Sequence, residues 1–542
     1  MWRSHYTRRW AVGSMAGIAA SIVFATFAPT SAQNGWSFVD SANSPVRYAM
    51  AAFVPQIPCA ALQTLSSGVA KTMSAHMVQS SSSGPEHCRV SGIIAPEIRF
   101  EVNLPSMWSG RFYMYGNAVF AGETPDSGSR GRFRAAALRH RFATASTNTG
   151  HDADLEPLAT FAGNVDKRVD YAFRAVHLTT VEAKRIIATY YGRSPAYSYW
   201  DGCSTGGRQG LISAQRFPAD FDGILAGAPV INFVDTLIAF LWNASALSNS
   251  PIPLPTMKLV SDAVYAKCDA RDGLTDGLID DPRKCDFNPA SDVAQCVAGE
   301  NSVTCLTPAQ SGALSKIYGG MISNGKQVHL GFSVGAEMVD TSLQGTGPME
   351  SGWDGWLLVP PGQHSRQYII GESFVRYFGS PTVDPKYDAR NFDFDKDMAK
   401  FDDARHLLDA NNPDLREFNS RGGKIIMYIG WGDMALPPLM GVDYFERALA
   451  TNGPDTTDFF RLFMIPGMFH CGGGVGTDRF DAMTPLINWV ERGIAPAAIP
   501  AAKVHSNRIV RTRPLCPYPQ VALYSGTGSI EDAGNFTCRP SR

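Results

Sequence analysis

Between residues 90 and 230, short apolar β-rich runs alternate with longer segments of mixed polarity. "RFYMYG" (111–116), "FATAST" (142–147) and "AYSYWDG" (196–202) predict strands, and "AFRAVHLTTVEAKRIIATYYG" (172–192) predicts a helix closed by Gly192. The rhythm returns late in the chain. "GGKIIMYIGW" (422–431) and "FFRLFMIPG" (459–467) predict strands, and "DAMTPLINWVERG" (481–493) predicts a helix. Strands alternating with helices predict a mostly parallel sheet covered by helices. Residues 230–415 have a different texture: four cysteines, much Gly and Pro, scattered tryptophans and no βα rhythm. A block of this kind, inserted between strands of an α/β sheet, predicts a lid over the active-site end.

A chain of 542 residues exceeds what one core usually organises, which fits a discontinuous domain with a large insertion. The first 32 residues read as a signal peptide. Arg3, Arg8 and Arg9 precede the apolar run "AVGSMAGIAASIVFATFA", and Thr30-Ser31-Ala32 supplies a small-residue cleavage site. The expected layout is a signal peptide at 1–32, the first part of the catalytic domain at 33–229, the lid at 230–415 and the second catalytic part at 416–542. No other stretch is apolar enough to span a bilayer, so the mature protein is expected to be secreted or periplasmic. The formal charge of −2 gives no broad attraction to nucleic acid or anionic membrane and leaves small molecules as the expected partners. It says nothing about oligomeric state.

Ten cysteines in an exported chain predict five disulfides, although sequence alone does not fix their pairing. Local spacing suggests Cys59–Cys88, Cys268–Cys285, Cys296–Cys305 and Cys516–Cys538, leaving Cys203 and Cys471. These last two each adjoin a residue of chemical interest. "GCSTG" (202–206) fits G-x-S-x-G between a predicted strand and a predicted helix, the sharp turn that exposes a serine hydroxyl at the carboxyl edge of a sheet. Ser204 needs a base to take its proton, and the base needs a group to orient it. Asp433 in "GWGD" and His470 in "MFHC" follow predicted strands in the order serine, acid, histidine. If Ser204 and His470 meet, Cys203 and Cys471 come within disulfide reach. That link closes a loop long enough to constrain the unfolded chain by about 4–5 kcal/mol. The competing reading, Cys203 as a thiol nucleophile, is disfavoured in an oxidising compartment.

"GCSTGGRQG", "GWGD" and "FHC" together resemble the tannase and feruloyl esterase family, whose members carry a Cys-Ser, Asp, His-Cys arrangement with the two cysteines bonded. The resemblance covers nearly the whole mature chain. It implies an α/β-hydrolase fold with a large inserted lid, Ser204 as nucleophile, His470 as general acid/base and Asp433 as its orienter. Two backbone donors are needed for the oxyanion. Thr205 is expected to give one and the turn "GNAVFAG" (116–122) the other, with Gly116 the first choice. Family members resemble G-N-G-G-F-A-G there, so Ala118 and Val119 depart from the pattern.

"CDARDGLTDGLIDDPRKC" (268–285) presents Asp269, Asp272 and Asp276, with carbonyls at Leu274 and Leu278, as hard oxygen donors on one short loop. Acidic Asp-Gly loops are often solvated turns, and this spacing is not that of an EF-hand. The resemblance implies a structural calcium here. The histidines show no zinc-ligand spacing, and "TNTGHD" (147–152) reads as a structural loop near the sheet edge. Trp353, Arg366 and Phe374, with Trp356, Arg376 and Tyr377, are the lid candidates for substrate contact, against the simpler reading of aromatics as lid core. The expected function is a serine esterase for aromatic carboxylic esters of feruloyl, galloyl or terephthaloyl half-ester type. The alternatives are a calcium-stabilised binding protein on a hydrolase scaffold, and a lipase or peptidase of the same fold.

Overall fold

The computed structural model describes residues 52–540 apart from 82–83, 126–127, 298, 301–302, 338–351, 355, 361 and 380–386. The signal-peptide reading of 1–32 lies outside these residues. Seven strands come first: β1 (Ala70–Val78), β2 (His87–Ile94), β3 (Ile98–Pro105), β4 (Arg111–Tyr115), β5 (Ala143–Thr147), β6 (Tyr197–Cys203) and β7 (Gly223–Gly227). A small hairpin, β8 (Met321–Ser323) and β9 (Lys326–His329), follows, and then β10 (Lys424–Gly430) and β11 (Phe460–Ile465) rejoin the main sheet. The nine-stranded order is β1-β2-β3-β5-β4-β6-β7-β10-β11. β5, β4, β6, β7, β10 and β11 are parallel, and β1 to β3 extend them as an antiparallel edge that joins at β5.

Burial explains why the parallel strands read as near-continuous apolar runs. Every residue of β4, β5 and β7 is buried, because helices cover both faces of the sheet. One face packs Tyr113, Tyr199, Ile426 and Phe463 against Leu486, Ile487 and Trp489 of the helix Met483–Arg492. The other packs beneath the helix Ala175–Tyr191, which ends at Gly192 in the left-handed conformation a glycine adopts without strain (φ 69°). This helix begins three residues later than the sequence predicts, since Asp170–Arg174 forms a single π-helical turn.

Between Gly227 and Lys424 the chain builds the helices Phe233–Asn249, Leu254–Cys268, Pro308–Gly319, Arg366–Phe378 and Asp402–Leu408. Their apolar side chains are continuous with the sheet's own core: Phe233, Phe374 and Phe401 belong to the same cluster as Ile224 and Met427. Helix 366–378 approaches helix 233–249 closely at Gly371, where a Cβ would lie 2.8 Å from the Leu237 carbonyl oxygen. After the main sheet the chain makes a three-stranded sheet, β12 (Arg479–Phe480), β13 (Ile499–His505) and β14 (Arg508–Leu515), and a hairpin, β15 (Gln520–Tyr524) and β16 (Phe536–Pro540). The five disulfides join the pairs that spacing suggests, with Cys203 bonded to Cys471. Among the described residues no helix is long and apolar enough to cross a membrane.

Candidate active site

Because β4 lies between β5 and β6, the turn after β4 and the turn after β6 sit side by side at the carboxyl edge of the sheet, where ligands of open α/β sheets bind. Ser204 occupies the second turn, at φ 63° and ψ −123°, between β6 and the helix Thr205–Arg216. This conformation costs a non-glycine residue about 1–3 kcal/mol and persists only where surroundings hold it. The Ser204 amide donates to the Gly227 carbonyl (2.9 Å). The flanking glycines permit the turn: a Cβ at Gly202 would lie 2.5 Å from the Gly206 carbonyl oxygen, and one at Gly207 would lie 2.4 Å from that of Gly227.

His470 follows β11, and its Nδ1 lies 2.8 Å from Asp433 Oδ2. The other carboxylate oxygen of Asp433 accepts the amides of Ala435 (2.9 Å) and Leu436 (2.8 Å). Both side chains are buried, and the carboxylate is fixed by the imidazole and two backbone amides, which leaves Nε2 as the ring nitrogen not engaged by Asp433. Cys203–Cys471, with Cα atoms 6.0 Å apart, ties the serine turn to the histidine turn. Among the described residues the Ser204 hydroxyl makes no hydrogen bond. Apo hydrolase sites commonly tighten this contact only with substrate bound.

The turn after β4 corrects one expectation. The Gly116 amide donates to the Asp201 carbonyl (2.9 Å) as a continuation of the β4–β6 ladder, so it is not available to an oxyanion. The Asn117 amide is taken by Gln209 Oε1 (3.0 Å), and that of Ala118 points to Glu123 Oε1 (3.4 Å). Val119, at φ 41°, has no partner for its amide among the described residues. Its carbonyl accepts two hydroxyls, Thr205 Oγ1 at 2.6 Å and Tyr171 Oη at 2.8 Å. Thr205 opens its helix, and its amide therefore has no intrahelical partner. The departure from the glycine pattern at 118–119 was the sequence signal that marked this turn.

The lid candidates separate. Trp356 stands edge-on to His470, ring centroids 6.2 Å apart, with a buried indole N–H that has no partner among the described residues. Arg366 lies over the Trp356 ring at 5.2 Å and has no carboxylate partner among the described residues. Trp353 and Phe374 are instead lid core. Trp353 packs on Tyr318 and Phe332, and Phe374 on Phe233, Phe378 and Phe401, because each faces the interior of the inserted helices. Arg376 pairs with Glu372, and the Tyr377 carbonyl accepts from Arg168.

The aspartate loop wraps around its own carboxylates. Asp269 accepts the amides of Asp276 and Gly277 (both 3.1 Å), and Asp272 accepts that of Leu274 (2.9 Å). From β14, Arg513 pairs with Asp276 Oδ2 (2.6 Å), and Arg511 donates to the Asp276 carbonyl (2.8 Å). Burial, with adjacent aspartates adding, pushes Asp272 up to about 6 and the neighbouring Asp280, which sequence reasoning passed over, up to about 7. Asp269 and Asp272, on a loop closed by Cys268–Cys285, are oxygen donors of the kind a hard divalent cation takes, while the Asp276 carboxylate is already engaged by Arg513. The loop is nearer the site than its sequence position suggests: the Leu278 side chain packs where a Cβ on Gly467 would lie, 2.8 Å away, on the turn leading to His470. Among the described residues the ligand atoms of Cys296, Glu300 and Cys305 converge, but both sulfurs are spent in a disulfide.

A family profile described as tannase and feruloyl esterase matches residues 83–539. A mono(2-hydroxyethyl) terephthalate hydrolase of Piscinibacter sakaiensis is 36% identical over 516 residues, covering 84% of this chain and 85% of its own. Feruloyl esterase B of Aspergillus niger is 30% identical over 481 residues, covering 83% and 86%. The crystal structure of feruloyl esterase B from Aspergillus oryzae superposes with a TM-score of 0.75 at 26% identity, over 88% of this chain and 98% of that one.

Proposed function

Because this chain belongs to the tannase and feruloyl esterase family and is a carboxylic ester hydrolase, we propose that it cleaves small aromatic carboxylic esters through an acyl-enzyme on Ser204. The observation that carries this reading is the buried Asp433–His470 pair bound through Cys203–Cys471 to a serine held at φ 63°. Ser204 Oγ attacks the ester carbonyl carbon while His470 Nε2 takes the hydroxyl proton. The C–O bond to the alcohol then breaks, and the imidazolium gives the alcohol its proton. Water, deprotonated by the same nitrogen, attacks the acyl carbon and frees the acid and Ser204. Asp433 holds the imidazole with Nδ1 protonated and stabilises its charged form. The amides of Thr205 and Val119 receive the oxyanion, each such donor contributing about 10²–10³ in kcat.

Trp356 and Arg366 support an aromatic acyl group. An indole edge-on to the base offers a flat wall with one free donor, and the guanidinium above it suits a polar or anionic ring substituent. Relatives named for feruloyl and mono(2-hydroxyethyl) terephthalate esters point the same way. The five disulfides support an oxidising compartment, in keeping with export. Asp269, Asp272 and Asp276, with the carbonyls of Leu274 and Leu278, would hold calcium, which neutralises the crowded carboxylates and pins the loop.

The test is hydrolysis of methyl ferulate, methyl gallate and mono(2-hydroxyethyl) terephthalate by the mature protein and its Ser204→Ala variant. Turnover of at least one ester that vanishes in the variant is expected. Equal turnover by both proteins would exclude Ser204 as the nucleophile.

A further inference from the structure

Val119 sits in the left-handed region at φ 41° with a β-branched side chain, a conformation that crowds Cβ against the following carbonyl oxygen and is disfavoured for an L-residue. Something must hold it there, and the two hydroxyls on its carbonyl do so. Thr205 Oγ1 comes from the first residue of the nucleophile helix. Tyr171 Oη comes from the π-helical turn Asp170–Arg174, a widened turn of the kind that often marks functional sites.

Tyr171 is itself held by that same nucleophile helix. Arg208, fully buried one turn after Ser204, donates to the carbonyls of Tyr171 and Ala172 (3.4 Å each) and lies 4.9 Å over the Tyr171 ring. Its neighbour Gln209 grips the near end of the oxyanion turn, accepting the Asn117 amide (3.0 Å) and donating to Asn117 Oδ1 (3.2 Å). The Arg-Gln pair within "GCSTGGRQG" thus reaches both ends of the oxyanion turn, Gln209 directly and Arg208 through Tyr171. Burial pushes the Tyr171 phenol up to about 12, so its hydroxyl remains a proton donor throughout the neutral range.

We infer that Tyr171 is a positioning residue for ester hydrolysis: its hydroxyl, with that of Thr205, fixes residue 119 in the positive-φ conformation that aims the Val119 amide at the oxyanion. The inference rests on the serine-esterase reading above. It accounts for a turn that dispenses with glycine at position 119, replacing conformational freedom with two hydrogen bonds to one carbonyl.

The experiment is Tyr171→Phe, which keeps the ring stacked on Arg208 and removes only the hydroxyl. On whichever ester the wild-type protein turns over, kcat is expected to fall about tenfold or more with KM within about twofold, the signature of a loss confined to the transition state. The affinity of a phenylboronic acid, which forms a tetrahedral adduct with the serine, is expected to fall in parallel, while that of the product carboxylic acid is unchanged. Adding Val119→Gly to Tyr171→Phe is expected to restore part of kcat, because glycine adopts positive φ without being held. If Tyr171→Phe does not accumulate as folded protein, Thr205→Val removes the other hydroxyl from the same carbonyl and carries the same expectation. An unchanged kcat, or equal losses for boronate and product acid, overturns the clamp. A wild-type protein inactive on every ester overturns the esterase reading instead, so the two failures are distinguishable.

Discussion

Asp433 uses both carboxylate oxygens, one on His470 Nδ1 and the other on two backbone amides, so its orientation survives loss of charge more readily than its function does. Asp433→Asn is therefore expected to fold while presenting an amide that favours the wrong imidazole tautomer. Steady-state kinetics should show kcat lower by about 10³–10⁴ with little change in KM. Ser204, Asp433 and His470 could be read from sequence because each is placed by short-range chain geometry, immediately after a strand whose apolar run is plain. The failures at this scale have one physical origin. Gly116 opens the turn that should supply the second donor, yet what matters is whether an amide is already spent in the sheet, and that is decided by the pairing of β4 with β6. Trp353 and Trp356 lie three residues apart in one stretch of sequence, and only tertiary packing turns the first into the lid core and sets the second beside His470.

Five of the parallel strands, β4, β5, β6, β10 and β11, were legible, whereas β7, β1 to β3 and the strands from residue 479 onward were not. β7 is five residues long with two glycines, a poor strand signal; in β1, β15 and β16 apolar positions are diluted by exposed polar ones, and β12 is two residues long. The aspartate loop was legible as a donor set. Its contacts were not: Arg511 and Arg513 reach it from β14, and Leu278 touches the histidine turn. Two arginines of β14 thus meet the loop's negative charge, and the histidine turn packs against its apolar side chain. Stripping divalent cations with a chelator is expected to lower the thermal midpoint by several degrees in scanning calorimetry, with calcium restoring it, since the carboxylates would otherwise repel inside a partly buried loop. An identical midpoint with and without chelator would remove the cation from this loop.

Taken as one cooperative unit, the molecule carries buried ionisable groups that shape its response to acid. His329, against Thr236 Oγ1 at 3.0 Å with Asp235 nearby, is held down at about 4 by burial, as is His151. In the unfolded chain each takes its proton near 6.5, so their stabilising contribution is complete above that pH and is lost as pH falls towards 4. At pH 5 the loss amounts to about 2 kcal/mol for each. Asp409, pushed up to about 7 by burial, acts in the opposite direction, losing stability as pH rises through that value. The comparison that isolates one histidine is the drop in thermal midpoint from pH 7 to pH 5 in His329→Gln against the parent chain, and a smaller drop is expected in the variant. The same whole-chain view gives the link between Cys203 and Cys471, 268 positions apart, a meaning in time. As the chain emerges from its amino end, Ser204 exists long before the residue that activates it. Under the proposed mechanism, a chain cut short between residues 204 and 470 has a nucleophile and no base, and it remains inert towards esters. Hydrolytic competence arrives late in synthesis, once the final segment has docked and the two cysteines have met.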